Sequence, residues 1–223
     1  MGQRSVLVTG GTGGLGTAVT AAFAEAGWRV VVPVRSGSAA ALPGVTTVTA
    51  DLTDPAEAHR AVAVAAGEPA TPLRAVVNLV GGYAGGGRVH ETPIEDFERM
   101  LTLNLRPTYL VTREALTYLA GAGGGAIVCV SSRAALAPFA GAAGYITAKA
   151  AVLAFANAVA VEYRGAGVRC NTVVPGVIDT AANRAARPEA DASTWAAPAD
   201  IARVIRFLAS AESAPTTGAT VPV

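Results

Sequence analysis

Short runs rich in valine alternate along the chain with longer stretches rich in alanine. Nearly continuous β-branched runs are typical of strands that are buried on both faces, and helical segments between such strands are typical of a parallel sheet. Right-handed crossovers then favour a doubly wound, Rossmann-type α/β sheet with helices on both faces. Seven strands are predicted, over residues 5–9, 29–34, 45–50, 75–80, 126–131, 168–173 and 219–223.

Capping residues mark several helix boundaries. Asp54 followed by Pro55 predicts a helix start, because an aspartate N-cap and a proline in the first turn both suit that position. A capping-box pattern beginning at Thr92 predicts a long helix over residues 93–120. Pro107 should kink this helix, since proline cannot donate a backbone hydrogen bond. Two further helices are predicted, over residues 144–164 and from about residue 200 to 210.

The composition limits both the size and the partners of the protein. A length of 223 residues suits one domain, which we expect to span residues 1–223. The 17 basic and 16 acidic residues leave a net charge of +1, so we predict no binding to nucleic acid or membrane. Cys129 and Cys170 stand apart in apolar runs, which predicts buried thiols, no metal site and a cytoplasmic location.

A glycine-rich turn follows the first predicted strand. Gly10, Gly14 and Gly16 lie between that strand and a predicted helix. Such a turn lets the backbone approach a pyrophosphate and points the amino end of the helix at its charge. The strand–turn–helix context therefore predicts a dinucleotide site.

Three further strand ends carry residues that suit this site. An acidic residue after the second strand would bind the ribose of NAD, but the chain has Arg35 there, which suits the 2′-phosphate of NADP. We therefore expect NADP(H) to be preferred and NAD(H) to be possible, with a solvated surface arginine as the alternative. Asp51, before Leu52, either accepts from the adenine amino group or merely turns the chain. Asn78 and Gly81 end the fourth strand, where glycine allows close approach of the adenosine ribose.

A possible proton-transfer group lies in the second half of the chain. Tyr145 and Lys149 share a helix face, because they are four residues apart, and Ser132 ends the fifth strand. A tyrosine with its usual pKa near 10 is a poor acid or base at neutral pH, but a nearby ammonium stabilises the phenolate. With Ser132 holding the reacting oxygen, the three residues suit interconversion of a ketone and a secondary alcohol.

Together these motifs resemble the short-chain dehydrogenase/reductase superfamily over nearly the whole chain. The resemblance implies that Asn104 holds a water in a proton relay to Lys149, and that Tyr145 and Lys149 also contact the cofactor. It further implies that residues 175–180 cradle the nicotinamide. The cofactor-binding residues that it implies, besides those already named, are Thr12, Leu15, Pro175, Gly176, Ile178 and Thr180.

The resemblance leaves the substrate open. Residues 181–197 are expected to form a short lid over a small-molecule substrate, which we predict to be an apolar carbonyl or alcohol. Residues 80–86, 183–184 and 188–195 locally resemble dihydropteridine reductases, which makes pterin reduction one alternative. A regulator that binds the dinucleotide without catalysis is the other. Relatives are commonly oligomeric, so a homodimer or homotetramer is expected.

Overall fold

Seven parallel strands form one sheet in the computed structural model, which describes residues 4–35 and 44–223. Their order is β3-β2-β1-β4-β5-β6-β7. The strands are β1 (Ser5–Thr9), β2 (Arg29–Val34), β3 (Val45–Thr49), β4 (Leu73–Asn78), β5 (Gly125–Val130), β6 (Val168–Val174) and β7 (Thr220–Pro222). The helices are α1 (Gly16–Glu25), α2 (Pro55–Ala66), α3 (Ile94–Asn104), α4 (Arg106–Gly121), α5 (Ala143–Glu162), α6 (Ala181–Ala186) and α7 (Pro198–Ala209). The predicted doubly wound α/β class is confirmed.

The order of the strands creates a crevice between β1 and β4. From β1 the chain moves outward through β2 and β3, and then places β4 on the other side of β1. In open parallel sheets the loops after two such strands diverge at the carboxyl edge, and ligands bind in the gap. The glycine-rich turn after β1 and residues 79–87 after β4 border this gap.

The predicted long helix is in fact two helices. α3 ends at Asn104 and α4 begins at Arg106, with Leu105 between them. Pro107 is therefore in the first turn of α4, where a missing N–H costs nothing, rather than at a kink inside one helix. The prediction of a single helix over residues 93–120 was wrong because one helix ends and another begins just before the proline.

One of the two predicted caps forms and the other does not. The Asp54 carboxylate accepts from the backbone N–H groups of Ala56 at 2.9 Å and Glu57 at 3.0 Å, as an N-cap should. The hydroxyl of Thr92, in contrast, donates to the carbonyl of Arg88 at 2.9 Å. Helix α3 consequently starts without a side-chain cap, and the capping-box prediction was wrong.

An apolar layer covers each face of the sheet. Helices α2, α4 and α5 pack over one face, and α1 and α7 pack over the other. Cys129 and Cys170 are buried in the first layer as free thiols, which is the expected role of small apolar residues.

Helix α5 is long and apolar enough to satisfy the criteria for a membrane span, the only described helix that does. It also packs against α3 and β6, and it buries Lys149, Val152 and Ala156. Core helices of other proteins satisfy the same criteria. In this structure α5 is thus a helix of the core, and Tyr145 and Lys149 lie near its amino end.

At the amino edge of the sheet, three arginine side chains donate hydrogen bonds to carbonyl groups at the carboxyl ends of three helices. Arg29 of β2 donates to the carbonyls of Val64 at 3.1 Å and Ala65 at 3.2 Å, in the last turn of α2. Arg74 of β4 binds the chain just after α4, and Arg169 of β6 binds Leu208 and the turn after α7. Cations are favourable there, because helix carboxyl ends present unpaired carbonyls.

Candidate active site

The turn after β1 has room only for glycine at two of its predicted positions. Gly10 has a φ of 67°, in the left-handed region. A Cβ on Gly16 would come within 2.0 Å of the Gly10 carbonyl oxygen. Leu15, before α1, provides no side-chain cap for the first amides of the helix. The turn therefore leaves backbone N–H groups at the amino end of α1 for an anion such as pyrophosphate.

The segment after β6 lies over this turn. A Cβ on Gly14 would fall 2.7 Å from the methyl group of Thr180. The Thr180 hydroxyl accepts from the Asn183 N–H at 3.2 Å and so caps α6. The Pro175 carbonyl accepts from Arg133 at 2.9 Å, while Ile178 pairs with Ala196. Residues 175–180 are thus brought beside the glycine-rich turn, although their contacts to nicotinamide stay a prediction.

Gly176 and Thr12 are two further predicted cofactor-binding residues of this segment and turn. A Cβ on Gly176 would lie 3.6 Å from the guanidinium carbon of Arg133. Thr12 is half-buried in the turn. Their contacts to the cofactor stay predictions.

The end of β4 is held against β1 by a threonine. The Thr9 hydroxyl accepts from the backbone of Leu79 at 3.0 Å and of Val80 at 3.3 Å. The buried side-chain amide of the predicted residue Asn78 donates to Thr112 of α4 at 3.0 Å. A cofactor contact by Asn78 stays a prediction. Gly81, by contrast, is exposed at the crevice.

Arg35 and Asp51, which are predicted to bind the adenosine part of the cofactor, lie just after β2 and β3. Arg35 directly follows β2 and forms no ion pair with any residue of the described ranges. Hydrogen bonds from the backbone and hydroxyl of Thr53 lower the pKa of Asp51, and the charge of Arg35 adds to this effect. Asp51 therefore does turn the chain, but only Oδ1 takes part in these bonds. Leu52 next to it is buried.

Helix α5 presents Tyr145 and Lys149 on one side, as predicted. The Lys149 ammonium nitrogen lies 6.0 Å from the centre of the Tyr145 ring. Lys149 is 7% exposed, and burial lowers its pKa from 10.5 to about 8, against an opposing effect of Cys129. Its ammonium donates to the Val130 carbonyl at 3.2 Å. Lys149 is thus still mostly charged at neutral pH.

Tyr145 faces Ser132 at the end of β5. Burial raises the pKa of the Tyr145 phenol, the Ser132 hydroxyl opposes this rise, and Tyr83 adds to it. Ser132 Oγ accepts from the Ala134 N–H at 3.2 Å. The Ser132 side chain is near enough to interact with the phenol, so one substrate oxygen could contact both hydroxyls.

Asn104 ends α3, and its buried side chain contacts the loop after β4. Its side chain accepts from the Gly82 N–H at 3.1 Å and donates to the Gly82 carbonyl at 3.0 Å and the Met100 carbonyl at 3.0 Å. A Cβ on Gly81 would lie 2.5 Å from Asn104 Oδ1 and 3.1 Å from Lys149 Nζ. The buried amide therefore fixes the loop after β4, and a water relay through it stays a prediction.

Two positioning residues carry no distinctive sequence signal. The Ser131 hydroxyl donates to the Lys149 carbonyl at 2.7 Å and ties α5 to the end of β5. Thr9 joins the two loops of the crevice, as described above. Each is next to a motif residue in the sequence, but its role becomes clear only from the residue that it contacts in the folded protein.

Comparisons with known proteins agree with this arrangement. A family profile described as short chain dehydrogenase matches residues 4–191. The chain is 35% identical to 2-(R)-hydroxypropyl-CoM dehydrogenase of Xanthobacter autotrophicus, over 80% of this chain and 76% of that protein. It is 33% identical to 2,5-dichloro-2,5-cyclohexadiene-1,4-diol dehydrogenase LinX of Sphingobium indicum, over 99% of this chain and 94% of that protein.

Solved structures show the same likeness. The structure of ElxO with NADP bound has a TM-score of 0.91 and 25% sequence identity, and the match covers 100% of this chain and 97% of that chain. The glycine-rich turn described above, with no space for Cβ atoms, fits the dinucleotide that this family binds. The chain therefore belongs to the short-chain dehydrogenase/reductase family of NAD(P)-dependent oxidoreductases, which act on CH–OH and C=O groups.

Proposed function

We propose that the protein reduces a ketone to a secondary alcohol, with NADPH as the preferred cofactor and Tyr145 as the proton donor. The observation that carries this proposal is the meeting of Tyr145, Ser132 and Lys149 beside the crevice. The three side chains come from β5 and α5, whose ends both reach the carboxyl edge of the sheet.

Each side chain has a distinct task in this proposal. Ser132 donates a hydrogen bond to the substrate oxygen and fixes its position. Tyr145 gives that oxygen a proton, and the charge of Lys149 stabilises the phenolate that remains. Bound nicotinamide supplies the hydride to the carbonyl carbon.

The raised pKa of Tyr145, caused mainly by burial, suits a residue that donates a proton. We propose the direction of reduction from the expected cofactor. The preference for NADPH, which cells commonly keep reduced, would agree with this direction.

The proposed substrate class rests on the named relatives and on the two hydroxyl groups of the candidate site. The two relatives named above are dehydrogenases of a hydroxypropyl compound and of a cyclic diol. A ketone or secondary alcohol suits the hydroxyl pair of Ser132 and Tyr145, which can hold one oxygen between them. A quinonoid pterin has less need of Ser132, so we favour the carbonyl substrate over the dihydropteridine reductase alternative.

A substrate screen tests the proposed activity. Purified protein is incubated with NADPH and a panel of small aliphatic, cyclic and aryl ketones, and the loss of NADPH absorbance is followed. We expect turnover of at least one ketone and none of quinonoid dihydropterin. NADPH binding without turnover of any ketone would instead support the regulator, and turnover of the pterin alone would support the reductase of that substrate.

The cofactor preference depends on Arg35. We expect Arg35→Ala to weaken NADPH binding by about 10- to 100-fold, because a charge-assisted bond to the 2′-phosphate contributes about 1.5–3 kcal/mol. NADH binding should change by less than about threefold, since NADH lacks that phosphate. Isothermal titration of both cofactors at low salt measures the two affinities. Equal losses for NADH and NADPH would show that Arg35 does not recognise the phosphate.

A further inference from the structure

An exposed aromatic ring, Tyr83, packs against Tyr145 and is itself paired with a second exposed ring, Phe139. The reaction described above uses neither of them. The ring of Tyr83 packs edge-on against Tyr145, with the ring centres 5.2 Å apart and the planes at 82°. Phe139 also pairs with Tyr83, with ring centres 6.4 Å apart. Tyr83 is 55% exposed and Phe139 is 47% exposed. Exposed apolar clusters beside a reactive group are typical of ligand sites.

The backbone around Tyr83 is fixed on both sides. Before it, the Asn104 amide holds both backbone groups of Gly82, as described above. After it, the Gly86 N–H donates to the Gly141 carbonyl at 2.7 Å, which ties the loop to the start of α5. An exposed ring on an anchored loop loses little conformational freedom when a ligand covers it.

The orientation of Tyr83 makes its ring, rather than its hydroxyl, the surface that a ligand meets. The hydroxyl oxygen lies 2.6 Å from the position that a Cβ on Gly85 would take, so it is directed at the loop backbone. In the described residues it forms no hydrogen bond within 3.5 Å. Tyr83 is the aromatic residue that packs directly on the Tyr145 ring.

We propose that Tyr83 is a specificity-determining residue that holds a planar apolar ring of the substrate, so that the enzyme acts on aryl ketones. This inference rests on the proposed function, because it places the ketone oxygen at Tyr145. A ring bonded to the carbonyl carbon would then lie alongside Tyr83 and Phe139. Aromatic pairs prefer edge-on or offset contacts at such distances, which a flat ring satisfies and a short alkyl chain does not.

Tyr83→Ala and Tyr83→Phe separate the ring from the hydroxyl. With NADPH, kcat and KM are measured for acetophenone, an aryl ketone, and for 2-butanone, an aliphatic one. We expect Tyr83→Ala to lower kcat/KM for acetophenone by about 10- to 50-fold, mostly through KM, and to change that for 2-butanone by less than threefold. Tyr83→Phe should stay within threefold of the parent for both ketones.

Tyr109→Ala is the matched control. Tyr109 is 46% exposed and pairs with Phe155 at 5.6 Å, so it is a similar exposed aromatic residue on α4 that contacts no proposed site residue. We expect it to leave the ratio of the two ketones unchanged. Equal losses on both ketones in Tyr83→Ala would mean that Tyr83 only maintains the shape of the site, and unchanged values would mean that it does not contact substrate. Either result overturns the inference.

A binding measurement keeps the inference separate from the proposed activity. The dissociation constant of 1-phenylethanol is determined by isothermal titration with NADP present, in the parent, Tyr83→Ala and Tyr83→Phe. We expect an increase of at least tenfold in Tyr83→Ala only. If no ketone is turned over, the proposed function fails while this titration still decides the aromatic contact; an unchanged constant in Tyr83→Ala refutes that contact.

Discussion

Replacing Tyr145 with phenylalanine should lower kcat for ketone reduction by about 10²- to 10⁴-fold, the range usual for loss of a general acid. The change removes one hydroxyl and keeps the ring that packs against Tyr83. The hydrogen bond to the substrate oxygen and the proton for it are both lost. Steady-state kinetics with NADPH and the best ketone of the screen measure the effect.

The same variant should bind NADPH within about threefold of the parent affinity, because the glycine-rich turn and Arg35 are untouched. Ser132→Ala is its companion, and we expect a smaller loss, since it removes a hydrogen bond but no proton. Retention of more than a tenth of the parent kcat in Tyr145→Phe would assign the proton to another group. A large fall in NADPH affinity would show that the phenol mainly supports cofactor binding.

Replacing Lys149 with methionine should reduce both catalysis and cofactor binding. Methionine fills a similar volume in the buried site but removes the positive charge next to the phenol. We expect kcat/KM to fall by about 10²- to 10³-fold, as in the loss of a charged group from a catalytic site. Unchanged NADPH affinity in titrations would contradict the cofactor contact that the family resemblance implies.

Lys149 should also make the stability of the cofactor-free protein depend on pH. Its pKa in the folded protein is about 8, lowered from 10.5 by burial. Between these values the unfolded chain holds the proton and the folded protein does not, so stability rises as the pH increases from 8. The rise to pH 9.5 is on the order of 2 kcal/mol, at about 1.4 kcal/mol per pKa unit.

Urea denaturation at pH 8 and pH 9.5 measures this rise, and Lys149→Met should lack it. The comparison stops at pH 9.5 because the raised pKa of Tyr145 has the opposite effect on stability above the unfolded value of about 10. There the unfolded phenol releases its proton and the folded one keeps it, so stability falls. The same pH dependence in both proteins would assign it to groups other than Lys149.

The local motifs of this site were readable in the sequence because they need only neighbouring residues. The strand, turn and helix around Gly10 follow one another directly, and the spacing of Tyr145 and Lys149 places both on one helix face. Valine-rich runs predicted the strands of the sheet, because a strand that is buried on both faces is apolar along its whole length. Strand bounds differ from the prediction by at most two residues at either end.

Contacts between distant segments were not readable. The Asn104 amide meets Gly82 only because α3 returns beside the loop after β4. The hydrogen bond from the buried Asn78 amide to Thr112 likewise depends on where α4 packs, 34 residues further along the chain. Nor does a proline show whether a helix bends or restarts, which here depends on the packing of α3 and α4 around Leu105.

The arginines at the amino edge of the sheet stabilise the fold at the end opposite the candidate active site. Arg29, Arg74 and Arg169 fasten helix ends on the side opposite the crevice. Substitutions in the loops of the carboxyl edge therefore leave these fastenings intact. Laboratory evolution of new substrate preferences can therefore vary exposed side chains at this edge, such as Tyr83, Leu136 and Phe139, while thermal stability is altered independently at the other end of the strands.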